Sequence, residues 1–284
     1  MAYNKISGFS DEIAKEVDTQ FQVLNKLGIS FFEPRGINGK NVASLTEQEV
    51  LELKEKMDQY GIKASSIGSP IGKVMLEESF EPHFSVFQRV IRIAQMLECR
   101  FVRIFSFFHE SEGEWTDAER KEVLVRLRRM ITYAAEHDIV LLHENEKDIY
   151  GETIDHCVDL MQELYCDHFQ AVFDPANFVQ AQQDTIEGYE KLRPYIAYMH
   201  IKDARLNDGV VVPSGIGDGN VEYILRELFT HGYTGFLSLE PHLGRFVGLA
   251  DLEHSDMIKK LPEGGEGTFT LAYNALVGIL DKTC

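Results

Sequence analysis

The sequence predicts an α/β chain folded as a single domain over residues 1–284, a closed (β/α)8 barrel with eight parallel strands. Strand-like and helix-like segments alternate from end to end with no proline- or glycine-rich linker. The strand segments are mostly continuous apolar runs, as parallel strands covered on both faces require. After the first strand, Gly8-Phe9-Ser10-Asp11-Glu12 holds neither a GxGxxG nor a Walker pattern, which tells against an open doubly wound sheet.

The first strand is read near Lys5–Phe9, followed by a helix from Asp11 to Leu27. There Ile13, Val17, Phe21, Leu24 and Leu27 recur every three or four residues, and Gly28 is placed as the stop. Ile29–Glu33 is strand two. Thr46-Glu47-Gln48-Glu49 opens a helix running to Tyr60, with Gly61 after it. Ile62–Ile67 is strand three, His83–Leu97 a helix and Arg100–Phe105 strand four. Thr116-Asp117-Ala118-Glu119 begins a long helix whose Leu124, Leu127, Ile131 and Ala134 share a face. Four further strands complete eight: Ile139–Glu144, Phe169–Asp174, Ile196–His200 and Gly235–Glu240. Helices are expected near Thr153–Leu164, Thr185–Leu192, Glu222–Thr230 and Thr268–Leu280. Two stretches fall outside the repeat. Asn207–Asn220 carries a GxGxG spacing at Gly215, Gly217 and Gly219, read as a tight loop before a phosphate site. Leu243–Gly267 is long enough to be a lid or binding loop.

Hydrophobic content of 44% and charged content of 26% are those of an ordinary soluble protein. A net charge of −18 opposes binding to a phosphate backbone, so no nucleic-acid partner is expected. The amino terminus lacks a basic-then-apolar signal pattern and no apolar run approaches membrane-spanning length, so no membrane partner is expected. Cys99, Cys157, Cys166 and Cys284 show no CxxC spacing. Few cysteines and no export signal indicate reduced thiols in a cytoplasm, with Cys157 and Cys166 as packing residues.

The last four strands each end in a polar group: Glu144, Asp174, His200 and Glu240, about one strand–helix repeat apart. In a barrel the carboxyl ends of the strands converge on one rim, so consecutive strands crowd these groups into one sector. Three ionised carboxylates there repel, and burial raises their pKa values; a divalent cation removes the conflict. Oxygen and nitrogen donors without a thiolate suit Mn²⁺, Mg²⁺, Co²⁺ or catalytic Zn²⁺. Each acid taken alone is more often a helix cap or a solvated loop residue, and it is the set of four in consecutive strands that shifts the balance to a metal.

Glu144-Asn145, Phe173-Asp174-Pro175, His200-Ile201-Lys202-Asp203 and Leu239-Glu240-Pro241 together resemble the xylose isomerase-like TIM-barrel superfamily. The likeness spans essentially the whole chain and is to the sugar phosphate isomerase/epimerase branch, with its ketose 3-epimerases and inosose dehydratases. It implies one divalent metal, most often Mn²⁺, held by Glu144, Asp174, His200 and Glu240. It also implies a small sugar or polyol substrate and, since relatives are often dimers or tetramers, a homo-oligomer. Glu144 and Glu240 would then be the catalytic acid/base pair on opposite faces of the substrate. One would remove a proton beside a carbonyl as an enediolate forms; the other would return one for epimerisation. Return to the adjacent carbon would give aldose–ketose isomerisation.

Several residues are candidates for substrate contact. Lys202 is two residues after His200 and shares its inward direction; it suits a hydroxyl, carboxylate or phosphate, or is a solvated lysine. Glu33 and Arg35 end strand two, as a salt bridge or as substrate contacts; Arg103 and Ser106 end strand four. Ser66, Ser69 and Lys73 beyond strand three offer an anion site. His109 and His242 can reach the rim, Glu146 can hold a hydroxyl or orient Lys202, and His143 should point outward. Asn177 stands where many of the epimerases carry a histidine, and it can hydrogen-bond but not titrate. Arg205 lies close to the place of an arginine that the epimerases use. The competing readings are an inosose-type dehydratase or lyase, a non-catalytic carbohydrate-binding barrel, and a zinc endonuclease. The charge and the scarcity of histidines in ligand positions oppose the last.

Overall fold

Eight short strands enter parallel pairing: β1 (Ile6–Gly8), β2 (Phe31–Phe32), β3 (Lys63–Ala64), β4 (Phe101–Ile104), β5 (Val140–Glu144), β6 (Phe169–Phe173), β7 (Ile196–Ile201) and β8 (Phe236–Leu239). The computed structural model describes residues 5–110, 113–243 and 264–283. Six of the strands form one parallel sheet in the order β1-β8-β7-β6-β5-β4, so the first strand lies beside the last and the sheet curls as a half-barrel. The other two pair with each other. Backbone contacts link that pair to the sheet: Glu33 N–H donates to Gly8 C=O at 2.9 Å, and Ile67 bridges Val102. β2 stops sooner than the apolar run suggests because Pro34 has no N–H for the ladder.

Nine helices are described: α1 (Val17–Lys26), α2 (Glu47–Tyr60), α3 (Phe80–Met96), α4 (Asp117–Glu136), α5 (Ile154–Leu164), α6 (Pro175–Gln180), α7 (Thr185–Leu192), α8 (Val221–Thr230) and α9 (Gly265–Thr283). The capping boxes read at Thr46/Glu49 and Thr116/Glu119 are both formed. Gly61 ends α2 at φ 68°, a conformation that favours glycine. α1 begins six residues later than its apolar spacing suggests. Ser10–Glu12 forms a separate 3₁₀ turn, and Val17 N–H is capped from across the chain by Asn38 Oδ1 at 3.0 Å. The turn carries Asp11 and Glu12 toward the barrel mouth instead of along a helix.

Strand alternation sorts the interior. On β5, Val140 and Leu142 pack with Val172, Tyr198 and Phe236 in a cluster inside the barrel, and Glu144 continues the same face. Leu141 faces the opposite way, into a larger cluster of buried residues that extends from Ile6 to Leu280. There Leu124, Leu127 and Ala134 of α4 are buried and Ile131 packs beside them, as their spacing predicts. Burying each such leucine stabilises by about 1.5–3 kcal/mol. Cys99 and Cys157 are buried; Cys166 is exposed, not packed as its sequence context suggests. No described helix is long and apolar enough to cross a membrane.

The GxGxG loop wraps a group of this chain. Asp203 accepts from the amides of Gly215, Gly217 and Gly219 at 2.8–3.1 Å and from Ala204 at 2.9 Å. Added Cβ atoms at Gly217 or Gly219 would come within 2.3 and 2.7 Å of Asp203 Oδ1, so both glycines allow the close approach. The long loop expected over Leu243–Gly267 lies largely outside the described residues.

His83 provides a pH test of this scaffold. Gly72 N–H donates to His83 Nε2 at 2.9 Å, which requires that nitrogen to be unprotonated. Burial, helped by the nearby Arg126, pushes the imidazole down from 6.5 to about 4. The unfolded chain therefore binds the extra proton first. The contribution is fully present above pH 6.5 and lost as pH falls toward 4. We expect the urea midpoint to drop between pH 7 and pH 5, and His83→Gln to flatten part of that slope; an unchanged slope would count against it.

Candidate metal centre and active site

Register brings the four polar strand ends together. His200 pairs with Ser238 across β7 and β8, Glu144 pairs with Val172 across β5 and β6, and Asp174 and Glu240 each follow their strand by one residue. Asn145 stitches two of these ends: its side chain accepts from Asp174 N–H and donates to Asp174 C=O, both at 2.9 Å. One donor atom from each of Glu144, Asp174, His200 and Glu240 lies within 4.8 Å of the others, and all four residues are buried.

His200 Nδ1 is the centre of this group. It lies 3.0 Å from Glu144 Oε1, 3.6 Å from Glu240 Oε2 and 3.8 Å from Asp174 Oδ2. Asp174 serves twice: Oδ1 caps α6 through Asn177 N–H at 2.9 Å, while buried Oδ2 faces the site, with the Lys202 ammonium 2.8 Å away. The cap reading of this acid is therefore realised by one oxygen, and the other is free of the cap and turned toward the donor group. Pro175 at the first position of α6 requires no amide partner there.

The charges are compensated by cations from three sides. Arg103 Nη1 lies 2.9 Å from Glu144 Oε2, and Arg35 Nη1 lies 3.2 Å from Glu240 Oε1. Lys202 Nζ lies 2.8 Å from Asp174 Oδ2 and 3.0 Å from Glu240 Oε2. Burial works to raise Glu144, but His200 and Arg103 outweigh it and hold the carboxyl at about 2. Burial likewise opposes ionisation of Glu240, and Lys202, His242 and His200 keep it well below the ordinary range. Asp174 goes the other way: burial, with Glu240 and Glu144 facing it, pushes it up to about 7 against the pull of Lys202. His200 is raised well above its ordinary value, since Glu144 and Glu33 outweigh its burial.

The donor set fits a divalent cation. Opposite ligands of such an ion at ordinary bond lengths are about 4–4.5 Å apart, so only slight tightening is needed. Asp174 Oδ2 is buried with only the Lys202 ammonium beside it, and of the three carboxyls this is the one that its surroundings favour least as an anion.

The other sequence candidates divide. Asn177 donates to Glu144 Oε1 at 3.2 Å and Lys202 is at the centre of the site. Arg35, instead of pairing with Glu33, is clamped by Asp11 at 2.9 and 3.1 Å and contacts Glu240 and His242. His242 stands at the mouth, 44% exposed and 3.5 Å from Glu240. Arg205 is not brought to the site; it pairs with Asp208 in an exposed turn. Glu146 holds Lys73 at 2.8 Å, not Lys202, and His143 is buried on the outward face as alternation requires. His109 stacks on Trp115 at 3.9 Å, away from the four donors.

Glu33 lies behind the site, 1% exposed. Its Oε2 is 3.4 Å from His200 Nε2 and accepts from Tyr198 OH at 3.0 Å and Ser238 Oγ at 2.7 Å. Ser65 Oγ extends this network from Tyr198 OH to Ser7 Oγ. Sequence reasoning missed Asp11, Glu12, Tyr198 and Ser238. The last two precede His200 and Glu240 by two residues, so polar residues repeating inward along a strand were the available signal. A carboxylate on the far nitrogen of a ligating histidine fixes the ring and sharpens metal affinity. We expect Glu33→Gln to weaken Mn²⁺ binding in calorimetry by about 10–100-fold; unaltered affinity would remove Glu33 from that role.

Comparison with known proteins agrees with this architecture. A 3-dehydroshikimate dehydratase from Bacillus anthracis is 21% identical over 158 residues, 56% of this chain and 54% of that protein; the chain thus matches about half of that relative's length. The crystal structure of a D-tagatose 3-epimerase-like protein superposes with a TM-score of 0.76 at 16% identity, covering 98% of each chain. That of the IOLI protein with a bound zinc atom superposes with a TM-score of 0.75 at 16% identity, covering 99% of each. At such identities the structures speak for the fold alone. The family model described as xylose isomerase-like TIM barrel matches residues 21–260, and the chain belongs to that family.

Proposed function

We propose that this protein is a divalent-metal-dependent isomerase or epimerase of a ketose, free or phosphorylated, built as one closed eight-stranded barrel. One observation carries the reading. Glu144 and Glu240 each turn one oxygen toward His200 Nδ1 and have the other held by an arginine. A carboxylate used both as ligand and as acid/base needs such a second oxygen. Mn²⁺ is the ion we favour, with Mg²⁺, Co²⁺ and Zn²⁺ compatible with the same donors.

A divalent cation bound by Glu144, Asp174, His200 and Glu240 supplies stabilisation of negative charge on a substrate carbonyl oxygen. The residues of the chain do the rest. One glutamate, entering as the carboxylate, removes the proton on the carbon beside the carbonyl, and the other, entering protonated, gives its own proton to the opposite face, so the two exchange protonation states in each turnover. Arg103 and Arg35 fix the orientation of Glu144 and Glu240, each holding one carboxyl oxygen, and Asn177 holds Glu144 from the side. Lys202, Arg35 and His242 meet the substrate's oxygens at the mouth. Glu33 and Arg103 are buried and act through His200 and Glu144.

A dehydratase is the second reading, favoured by the 3-dehydroshikimate dehydratase relative. It shares the proton abstraction, after which the second glutamate protonates a departing hydroxyl. Proton NMR of the Mn²⁺-loaded protein's products from a ketose and inosose panel in D₂O separates the two. Deuterium at carbon without a new alkene supports epimerisation or isomerisation, an alkene supports dehydration, and neither would dismiss both. Glu144→Gln and Glu240→Gln should each lower turnover by about 10²–10⁴-fold while the protein remains folded by circular dichroism. A near-normal rate in either variant would exclude the two-glutamate mechanism.

A further inference from the structure

Lys202 contacts the very oxygens that a metal would need. Asp174 has already committed Oδ1 to the α6 cap, and Glu240 has committed Oε1 to Arg35. Each carboxylate is left one oxygen for the centre, Asp174 Oδ2 and Glu240 Oε2, the two that face His200 Nδ1. Lys202 Nζ lies 2.8 and 3.0 Å from those same oxygens. The side chain is 5% exposed, so water screens it little. Two cations sharing both oxygens at such range repel strongly.

We infer that Lys202 is a built-in counter-cation that bridges Asp174 and Glu240 in the metal-free protein and must release them when a divalent ion binds. The inference rests on the metal reading above and adds a direction to it. An unpaired cluster of buried carboxylates would open or draw in water. The ammonium holds it assembled until the ion arrives. The same contact competes with the ion, because binding is weakened by the fraction of molecules in which the oxygens are already occupied. On release the ammonium stays on a short tether beside the centre, where it can meet a substrate oxygen. Lys202 is thus a positioning residue in the metal-free state, and its removal has opposite effects on folding and on metal affinity.

The test is calorimetric titration of metal-free wild-type protein and Lys202→Met with Mn²⁺, with thermal unfolding of both metal-free forms. We expect Lys202→Met to bind Mn²⁺ about tenfold more tightly and, without metal, to unfold at a midpoint lower by about 5 °C or more. Equal or weaker Mn²⁺ binding by the variant overturns the inference while leaving the metal reading intact. Failure of wild type and variant alike to bind Mn²⁺, Mg²⁺, Co²⁺ or Zn²⁺ overturns both. Crystal structures of the wild-type protein with and without Mn²⁺ decide the matter should the metal-free variant not fold. Nζ should move beyond about 4 Å from both oxygens when the ion is bound, and continued pairing with both overturns the inference.

Discussion

Three carboxylates buried at the mouth of one barrel are the constraint around which this protein is arranged. Glu144, Asp174 and Glu240 are each at most 3% exposed, and an uncompensated anion in such a place is costly. The surroundings answer with Arg103, Arg35, Lys202 and His200, each within hydrogen-bonding or ion-pairing reach of at least one carboxylate. The compensation is uneven: Glu144 and Glu240 are held as anions, while Asp174 is pushed toward neutrality. A site with one carboxyl pushed toward neutrality beside two held as anions is suited to receive a further cation.

The scaffold supports that site in layers. Beneath the mouth the inward positions are apolar, with Val140, Leu142, Val172 and Phe236 around the ring of Tyr198. Tyr198 then turns its hydroxyl upward to Glu33, which stands behind His200. This column carries the orientation of the histidine down into the packed interior, where side chains have little freedom to move. At the open side, Asp11 and Glu12 from the turn after β1 hold Arg35, which in turn reaches Glu240.

Membership of the xylose isomerase-like family narrows the chemistry without deciding it. Epimerisation and dehydration begin with the same proton abstraction and diverge only in where the second proton goes. The four donors and the two glutamates of the proposed mechanism would serve either outcome. In the proposed function the groups that discriminate are those that would meet the rest of the substrate; Asn177 spends its amide on Glu144 and on Asn145 C=O, where it does not change charge with pH.

The local pattern of the chain was enough to establish the alternation of strands and helices, both capping boxes, the glycine stop of α2 and the four polar strand ends. Each rests on neighbours in sequence: a period of two or 3.6, a Thr three residues before a Glu, a terminal residue at the end of an apolar run. Glu144, Asp174, His200 and Glu240 were legible because a single rule, that strand ends converge, suffices to bring them together. The partners of those groups were not legible, because pairing depends on which long side chain reaches which oxygen across the fold. Arg35 chose Asp11 and Glu240 over its near neighbour Glu33, and Arg205 turned back to Asp208. Asp203 drew the glycine loop around itself, where spacing alone offered only a loop. Only the tertiary structure could divide Glu144 and Glu240 into one oxygen for the fold and one for the site, since Arg103 and Arg35, which make that division, lie 41 and 205 positions away in the chain; Asp174 is divided locally by its own helix cap.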